Sequence, residues 1–574
     1  MFLREHPFCF IFDIAMFKKM RKNSLLLALA LNLVFLLVYW VFSSTSYAAL
    51  DDFFMAAVLE GAYDGLSDTH LFFVNSVYGF LLKTLYLLFP SVGWYYIFEV
   101  IEVFAAFTIF TYVLLKRLDL EVGLILSLVL LCCVSPDFYF QLSFTQNGAL
   151  LTASGVLLLL MNLRTPRRLW FICGLLLFVL GFVMRKESFL LGLPYVAFFV
   201  CLSLVKKINL KILLITILSS AVVLLGLYYF EKSQYIEPEY KYYSSYQGPR
   251  ATFVDGGFFD VNAFYDELAE SGYEKTNAQA IRTWLFYDTE IFHLDSLPRL
   301  LNAVENTRYE LNWSRTAIRI VQEIANGFKN TSVWCWAAFC LLILFYSKKK
   351  LEYYPWVSLG IISMEILYLC MVNRLVYRVE SGIWLYAIAF TIVYLPQESL
   401  SSFCNQWQKK VAIVVACFLA FAFAIMEQPQ LQRAKIIGGG YGGQKDWSEF
   451  YEFAKNNKDK AFVMNFGQYK ALGEYLKIPS YKAIGPGGLS NIFPLGYWNA
   501  YLPGMLRQQE HYNLQNPLKD FINPNVYMVE CEKNMFLTAK TFYETNYNSQ
   551  LNSEIVKRFG DIKVVKYTVK ENEK

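Results

Sequence analysis

Apolar runs dominate residues 24–426 of the chain and are broken only by short polar turns and one long polar stretch. A run needs about 20 mostly apolar residues to cross a bilayer as a helix. The candidates are 24–42, 71–89, 94–115, 121–137, 144–163, 168–184, 188–205, 211–230, 332–346, 355–373, 379–395 and 410–426. Segment 231–331 is polar and aromatic. Helical spacing recurs there from Asp260 to Ala269, from Leu297 to Val304 and, amphipathically, from Glu310 to Ile324, with turn signals at Gly248-Pro249 and Gly256-Gly257. Segment 427–574 opens on the glycine-rich hinge 438–443. A helix from Trp447 to Lys455 follows, and then strands over Ala461–Phe466, Asn525–Cys531 and Ile562–Val569, the pattern of a small α/β domain.

Charge placement orients these runs, because Lys and Arg collect in cytoplasmic loops. Lys18, Lys19, Arg21 and Lys22 put the start of the first run inside and Asp51 and Asp52 outside. If every run spanned, Lys116-Arg117, Arg164, Arg167, Arg168 and Lys348-Lys349-Lys350 would all fall outside. Taking 71–89 out of the membrane repairs all of them at once. This run contains Asn75 and Lys83 and ends at Pro90, so it is expected to lie at the outer face or only dip in. About 11 spans then remain. Loops 43–93, 138–143, 185–187, 231–331 and 374–378 and the segment 427–574 become extracytoplasmic. The competing readings are that 71–89 spans against the charge rule, and that Ser46-Tyr47-Ala48 is a signal-peptide cleavage site after an unusually long apolar core. The expected organisation is a cytoplasmic segment 1–23, a transmembrane domain 24–426 and an extracytoplasmic α/β domain 427–574.

Composition agrees with this class. The 574 residues are 56% hydrophobic and 17% charged, too apolar for a soluble surface. The net charge of +5 is accounted for by membrane-flanking cations, so nucleic-acid binding is not indicated. Most of the 11 cysteines lie inside apolar runs and four scattered histidines offer no metal spacing. P-loop, GxSxG and HExxH motifs are absent, and the glycine hinge lacks the strand that a nucleotide-binding GxGxxG requires.

The chemistry-bearing residues gather at the expected outer ends. Asp51 and Asp52 follow the first run directly. Neighbours on a helix point about 100° apart, so the two carboxylates need not share one role. One suits a general base for a hydroxyl, and the other could orient it or hold a divalent cation such as Mg or Mn. A plain helix N-cap is the structural alternative. Asp68 and His70, in the same loop, could orient an acceptor or cap the following helix. Arg185-Lys186-Glu187 interrupts apolar sequence outside, against the positive-inside rule. Arg185 can grip a lipid phosphate bidentately, or pair with Glu187. Arg374 and Arg378 repeat that argument more weakly. For Asp137, Gln141, Gln146 and Asn147 at a further outer turn, and for Arg250 and Asp255 in the long loop, a structural role weighs more.

The opening span, the acidic pair beginning the first external loop, the membrane-lying helix, the large loop after the seventh span and the external C-terminal domain together resemble the GT-C superfamily of membrane glycosyltransferases. That superfamily includes the protein O-mannosyltransferases and the aminoarabinose transferases. The layout covers about residues 16–426, and the motifs are Asp51-Asp52, Ser135-Pro136-Asp137 and Arg185-Lys186. Asp51 to Tyr86 also resembles a group of bacterial membrane proteins with an Asp-Asp-Phe-Phe-Met start. The resemblance implies a bacterial cytoplasmic-membrane enzyme that takes a sugar from a polyprenyl-phosphate donor and passes it, with inversion, to a glycan or lipid acceptor outside. It implies Asp51 as base, Asp52 as assistant or cation ligand, and Arg185 with Lys186 or Arg378 on the donor phosphate. Asp68, His70, Asp137 and Arg250 complete the expected substrate-binding set. A Lys-Pro-Pro-type motif of the aminoarabinose transferases is missing, which puts lipid A as acceptor in doubt. A lipid-linked-sugar flippase, a polysaccharide polymerase and a non-catalytic envelope assembly protein are the alternatives.

Overall fold

The computed structural model describes residues 23–42, 45–255, 262, 264–305, 313–346, 353–372, 374–396, 443–531 and 538–570. The basic cluster before residue 23, Lys348–Lys350, Lys409-Lys410, the run 410–426, most of the glycine hinge, the turn Gly256-Gly257 and Asp260 lie outside them. Two compact units form, and each is discontinuous in sequence. The first takes in 1–48, 97–227 and 315–428, and the second 49–96, 228–314 and 429–574. Segments 49–96 and 228–314 therefore group with the C-terminal part.

The first unit is helical. Ser24–Phe42, Trp94–Arg117, Phe144–Arg164, Leu210–Gln234 and Tyr354–Met371 are long and apolar enough to cross a membrane. Leu120–Cys133, Arg168–Met184 and Leu193–Val205 are shorter apolar helices, and Thr331–Phe345 meets Thr316–Gly327 at a bend of 79°. Leu214, Leu218, Val222 and Leu225 leave one flank of the Leu210–Gln234 helix exposed and apolar, as lipid contact requires. The protein is thus mainly α and polytopic.

Helix ends sort to two ends of this unit. At one, Arg117 donates to the Ile392 carbonyl and Arg164 to the Val393 carbonyl at 3.2 Å. Lys206 reaches the Tyr354 hydroxyl at 3.3 Å, Tyr354 stacks on Tyr394, and Leu27 and Ala28 pack on Leu115. At the other, the Tyr39 and Ser135 hydroxyls meet at 2.9 Å, Thr331 donates to the Cys133 carbonyl and Gln146 donates to Ser381 at 2.9 Å. Successive helices alternate between these ends without residues 71–89. The Ser76–Leu88 helix belongs to the second unit. Phe80, Leu81, Leu87 and Leu88 line its exposed side while Tyr78, Leu82 and Tyr86 are buried, the two-faced character expected of it. Asn75 is its N-cap, accepting from the Val77 N–H at 3.1 Å.

In the second unit a five-stranded sheet runs β4-β3-β5-β7-β6, with β3 Ala461–Met464, β4 Ile492–Pro494, β5 Val526–Cys531, β6 Leu551–Phe559 and β7 Ile562–Val569. Strands β1 Ser46–Tyr47 and β2 Gln141–Leu142 form a separate short parallel pair in the first unit. β3 pairs in parallel with β4 and β5, and β7 is antiparallel to β5 and β6. Every residue of β3 is buried, as suits a central parallel strand. The chain then turns into the helix Phe466–Leu476, so the strand expected over Ala461–Phe466 ends at Met464. One further expectation is corrected. Gly248-Pro249 is not a turn, because a helix runs through it from Pro238 to Asp255. Tyr243, Tyr246, Arg250 and Phe253 fall on one buried face of that helix, and their burial outweighs the cost of an internal proline.

Candidate functional site

Asp51 and Asp52 sit in the first turn of the helix Leu50–Leu59, where the helix dipole favours negative charge. The N-cap is Ala49, so neither carboxylate is a cap. Every other residue of this helix is buried, and Asp51 alone is half-buried. The angular separation expected between neighbours divides the pair. Asp52 points inward, fully buried, and accepts from the Tyr95 hydroxyl at 3.2 Å. Asp51 points to the edge and accepts from the Tyr497 hydroxyl at 2.9 Å. Burial, then the Asp51 carboxylate, holds the Tyr497 phenol well above its ordinary value, so it remains a donor at neutral pH.

Three sequence segments build this corner. From the C-terminal segment, the helix Phe466–Leu476 lies directly on Leu50–Leu59. A Cβ on Gly473 would come within 2.9 Å of Leu50 Cδ2 and 3.1 Å of Phe54 Cζ, so glycine allows this approach without displacing either side chain. Phe54 then stacks on Tyr469 at 4.5 Å and meets Tyr497 edge-on at 5.0 Å. From the long loop, Trp284 packs 5.6 Å from Tyr497 and stacks on Phe466 at 4.8 Å. Arg250, buried, lies over the Trp284 ring at 5.3 Å and donates to Gln247 at 2.7 Å. A continuous path of contacts thus runs from Asp51 through Tyr497 and Trp284 to Arg250. Tyr95, Trp284, Tyr469 and Tyr497 carry no motif in the sequence; only their burial against the acidic helix singles them out.

Asp68 and His70 form a tie in the same unit. His70 Nδ1 lies 2.6 Å from the Asp68 carboxylate, and the Tyr240 hydroxyl donates to its other oxygen at 2.9 Å. His70 Nε2 is 3.0 Å from the Gln234 carbonyl, and its ring stacks on Tyr240 at 3.7 Å. Burial pushes the Asp68 carboxyl up, but His70 and Tyr240 outweigh it and hold the group below the ordinary carboxylate value. Nearby, Arg507 pairs with Asp64 at 2.7 Å. These bonds bind the loop after the acidic helix to the long loop and to the C-terminal segment.

The remaining expected residues belong to the first unit. Arg185 stands between the helices Arg168–Met184 and Lys186–Leu191. Its position follows from tight packing of Phe144–Arg164 against Arg168–Met184. A Cβ on Gly181 would lie 2.1 Å from Thr152 Oγ1, and one on Gly148 would lie 3.0 Å from Arg185 Cβ. Arg185 Nε pairs with Glu187 at 2.9 Å, the guanidinium lies over Phe144 at 5.1 Å, and Lys186 reaches Glu187 at 3.7 Å. Asp137 accepts from the Tyr377 hydroxyl, next to Arg378 at the start of Tyr377–Tyr394. Gln146 and Asn147 are buried and bonded inside the unit.

Asp52 is also the expected cation ligand. Among the described residues no three His, Cys, Asp or Glu side chains group so as to hold a metal ion. One oxygen of the buried Asp52 carboxylate accepts from the Tyr95 hydroxyl, and a part for Asp52 in holding a cation stays a proposal.

No family model and no curated protein matches the sequence. Among solved structures, the crystal structure of ArnT from Cupriavidus metallidurans in the apo state is similar at a TM-score of 0.39 and 12% identity, over 95% of this chain and 98% of that one. The crystal structure of ArnT from the same organism bound to undecaprenyl phosphate gives 0.36 and 12%, over 94% and 97%. A likeness this weak leaves the functional assignment to the residues themselves.

Proposed function

We propose that the protein is a GT-C-type membrane glycosyltransferase that moves a sugar from a polyprenyl-phosphate donor to an extracytoplasmic glycan or lipid acceptor with inversion. The observation that carries this reading is the division of labour in the acidic pair: Asp51 is reachable and oriented by Tyr497, while Asp52 is buried under Tyr95. Asp51 takes the proton of the acceptor hydroxyl as that oxygen attacks the anomeric carbon. The bond from that carbon to the phosphate oxygen breaks, and the phosphate leaves with the electron pair. Tyr497 holds the carboxylate in place, and Asp52 anchors the helix that presents it.

Arg185, assisted by Lys186 or Arg378, is assigned to the donor phosphate. Its bond to Glu187 does not oppose this. Glu187 is 52% exposed, and an exposed ion pair is worth only about 0–1 kcal/mol, which a phosphate readily displaces. In this reading the end of the first unit that carries Arg117, Arg164 and Lys206 is cytoplasmic, and the second unit is outside. Asp68, His70, Asp137 and Arg250 stay in the proposal as groups that shape the substrate surface. The test is transfer from a synthetic polyprenyl-phosphate sugar by purified Asp51→Asn, with donor binding measured alongside. Lost transfer with retained binding supports the reading, and full transfer removes it.

A flippase of lipid-linked sugars is the second reading. Glu99, Glu102, Glu365 and Glu380 are buried in helices of the first unit, and buried acids in spans mark proton or substrate pathways in transporters. Movement of lipid-linked sugar across reconstituted vesicles without transfer chemistry would favour it.

A further inference from the structure

The second unit contains a cleft of about 460 Å³ away from Asp51, among whose lining residues are Lys455, Lys458 and Lys482, with Tyr451, Pro479 and Ile484. No carboxylate lines it. Lys458 Nζ is fixed by the Gly487 carbonyl at 2.8 Å and Ser490 Oγ at 2.7 Å. Burial, then the neighbouring Lys455 charge, holds the Lys458 ammonium below its ordinary value; Lys455 is paired with Glu452 at 3.2 Å, which leaves Lys458 and Lys482 as the cations that face the cleft with no carboxylate in its lining. One wall is the turn Ile484–Gly488, in which Gly485 and Gly487 take positive φ of 83° and 68°. That wall is rigidly founded. The Glu60 carboxylate accepts from the Ile484 N–H at 2.7 Å, the Gly487 N–H donates to the Gly61 carbonyl at 2.9 Å, and the Leu489 N–H to the Ala62 carbonyl at 2.7 Å. Glu60 and Gly61 directly follow the helix that bears Asp51 and Asp52.

From this we infer that the cleft binds an anionic saccharide, a sugar carrying a phosphate or carboxylate. The lysines take the anion, and the sugar lies against Tyr451, Pro479 and Ile484. The volume decides between a saccharide and a bare anion, since the cleft falls in the range of small-molecule sites, roughly 300–1,000 Å³, far larger than a phosphate group. That this saccharide belongs to the acceptor rests on the transferase reading; that it binds does not.

The protein in detergent micelles is titrated calorimetrically with glucose 6-phosphate, glucuronate, glucose and inorganic phosphate. Both anionic sugars are expected to bind, and glucose not. Lys482→Gln is expected to weaken them at least tenfold, and Lys458→Arg to retain them. Titration of Asp51→Asn is expected to give unchanged affinity, which separates this site from any failure of the transfer chemistry. Equal binding of glucose, or of inorganic phosphate alone, overturns the inference, as does indifference to Lys482→Gln in a protein of unchanged melting temperature. Displacement of the sugars by vesicles of anionic phospholipid also overturns it, in favour of a lipid headgroup.

Discussion

The acidic helix start and the Arg185 turn are both short charged interruptions of apolar sequence, yet the chain treats them differently. Asp51 is held by Tyr497 within an aromatic corner to which three sequence segments contribute. Arg185 is positioned by close helix packing, and its guanidinium pairs with the exposed Glu187 and lies over a phenyl face. A carboxylate that must take a proton needs fixed orientation. A guanidinium that receives a lipid phosphate needs a partner it can give up. The contrast is what a fixed base and an exchangeable phosphate site would look like.

The largest effect is expected at Asp51. Asp51→Asn should lower the transfer rate by roughly 10²–10⁴, the usual contribution of a general base, with melting temperature and donor affinity unchanged. Asp52→Ala should act on stability instead. It leaves the Tyr95 hydroxyl buried without its acceptor, a cost of about 1–3 kcal/mol, read as a lowered melting temperature. If Asp52→Ala melts like wild type, the assignment of separate roles to the pair fails.

Tyr497→Phe should lie between these. Removing a hydrogen bond to a charged group costs about 1.5–3 kcal/mol, and the less constrained Asp51 should slow transfer by about tenfold without altering donor affinity. Glu60 gives a pH test of how the acidic helix is joined to the C-terminal segment. Burial, against the Ile484 and Gly485 N–H groups, pushes its carboxyl up to about 8 from 4.5. The folded state therefore holds this proton more tightly than the unfolded chain. The contribution to stability is full below pH 4.5 and is lost as pH rises through about 8, with a slope of about 1.4 kcal/mol per unit between. Thermal melts of wild type should fall across that window, and those of Glu60→Gln should be flatter. The smallest effect belongs to the Arg185 turn. Glu187→Gln should change stability by less than about 1 kcal/mol, while tightening donor binding severalfold in a lipid-binding assay.

The acidic pair that opens a helix, the Arg185 turn between two helices and the separate, two-faced helix within 71–89 could be read from local pattern, because charge beside apolar runs is costly and therefore informative. The partners of Asp51 could not. Tyr497 is 446 residues away in the chain, and nothing in its neighbourhood distinguishes it from the protein's 40 tyrosines. Gly248-Pro249 misled because local turn chemistry there loses to the burial of Tyr243, Tyr246 and Phe253 on one helix face. The strand expected over Ala461–Phe466 overran because Phe466 is apolar in either element, and only the packing of Gly473 on Leu50 and Phe54 reveals the helix. Assigning Asp68 and His70 to capping or to an acceptor also required seeing Tyr240, from the distant loop, on the same carboxylate.

The central claim is that Asp51 acts after the lipid-linked sugar has bound. Mass spectrometry of lipids that co-purify with wild type and with Asp51→Asn tests it most directly. The account predicts that the variant retains polyprenyl phosphate still bearing its sugar, enriched severalfold over wild type, because donor binds and transfer stops. Only bulk phospholipid in both preparations would contradict it.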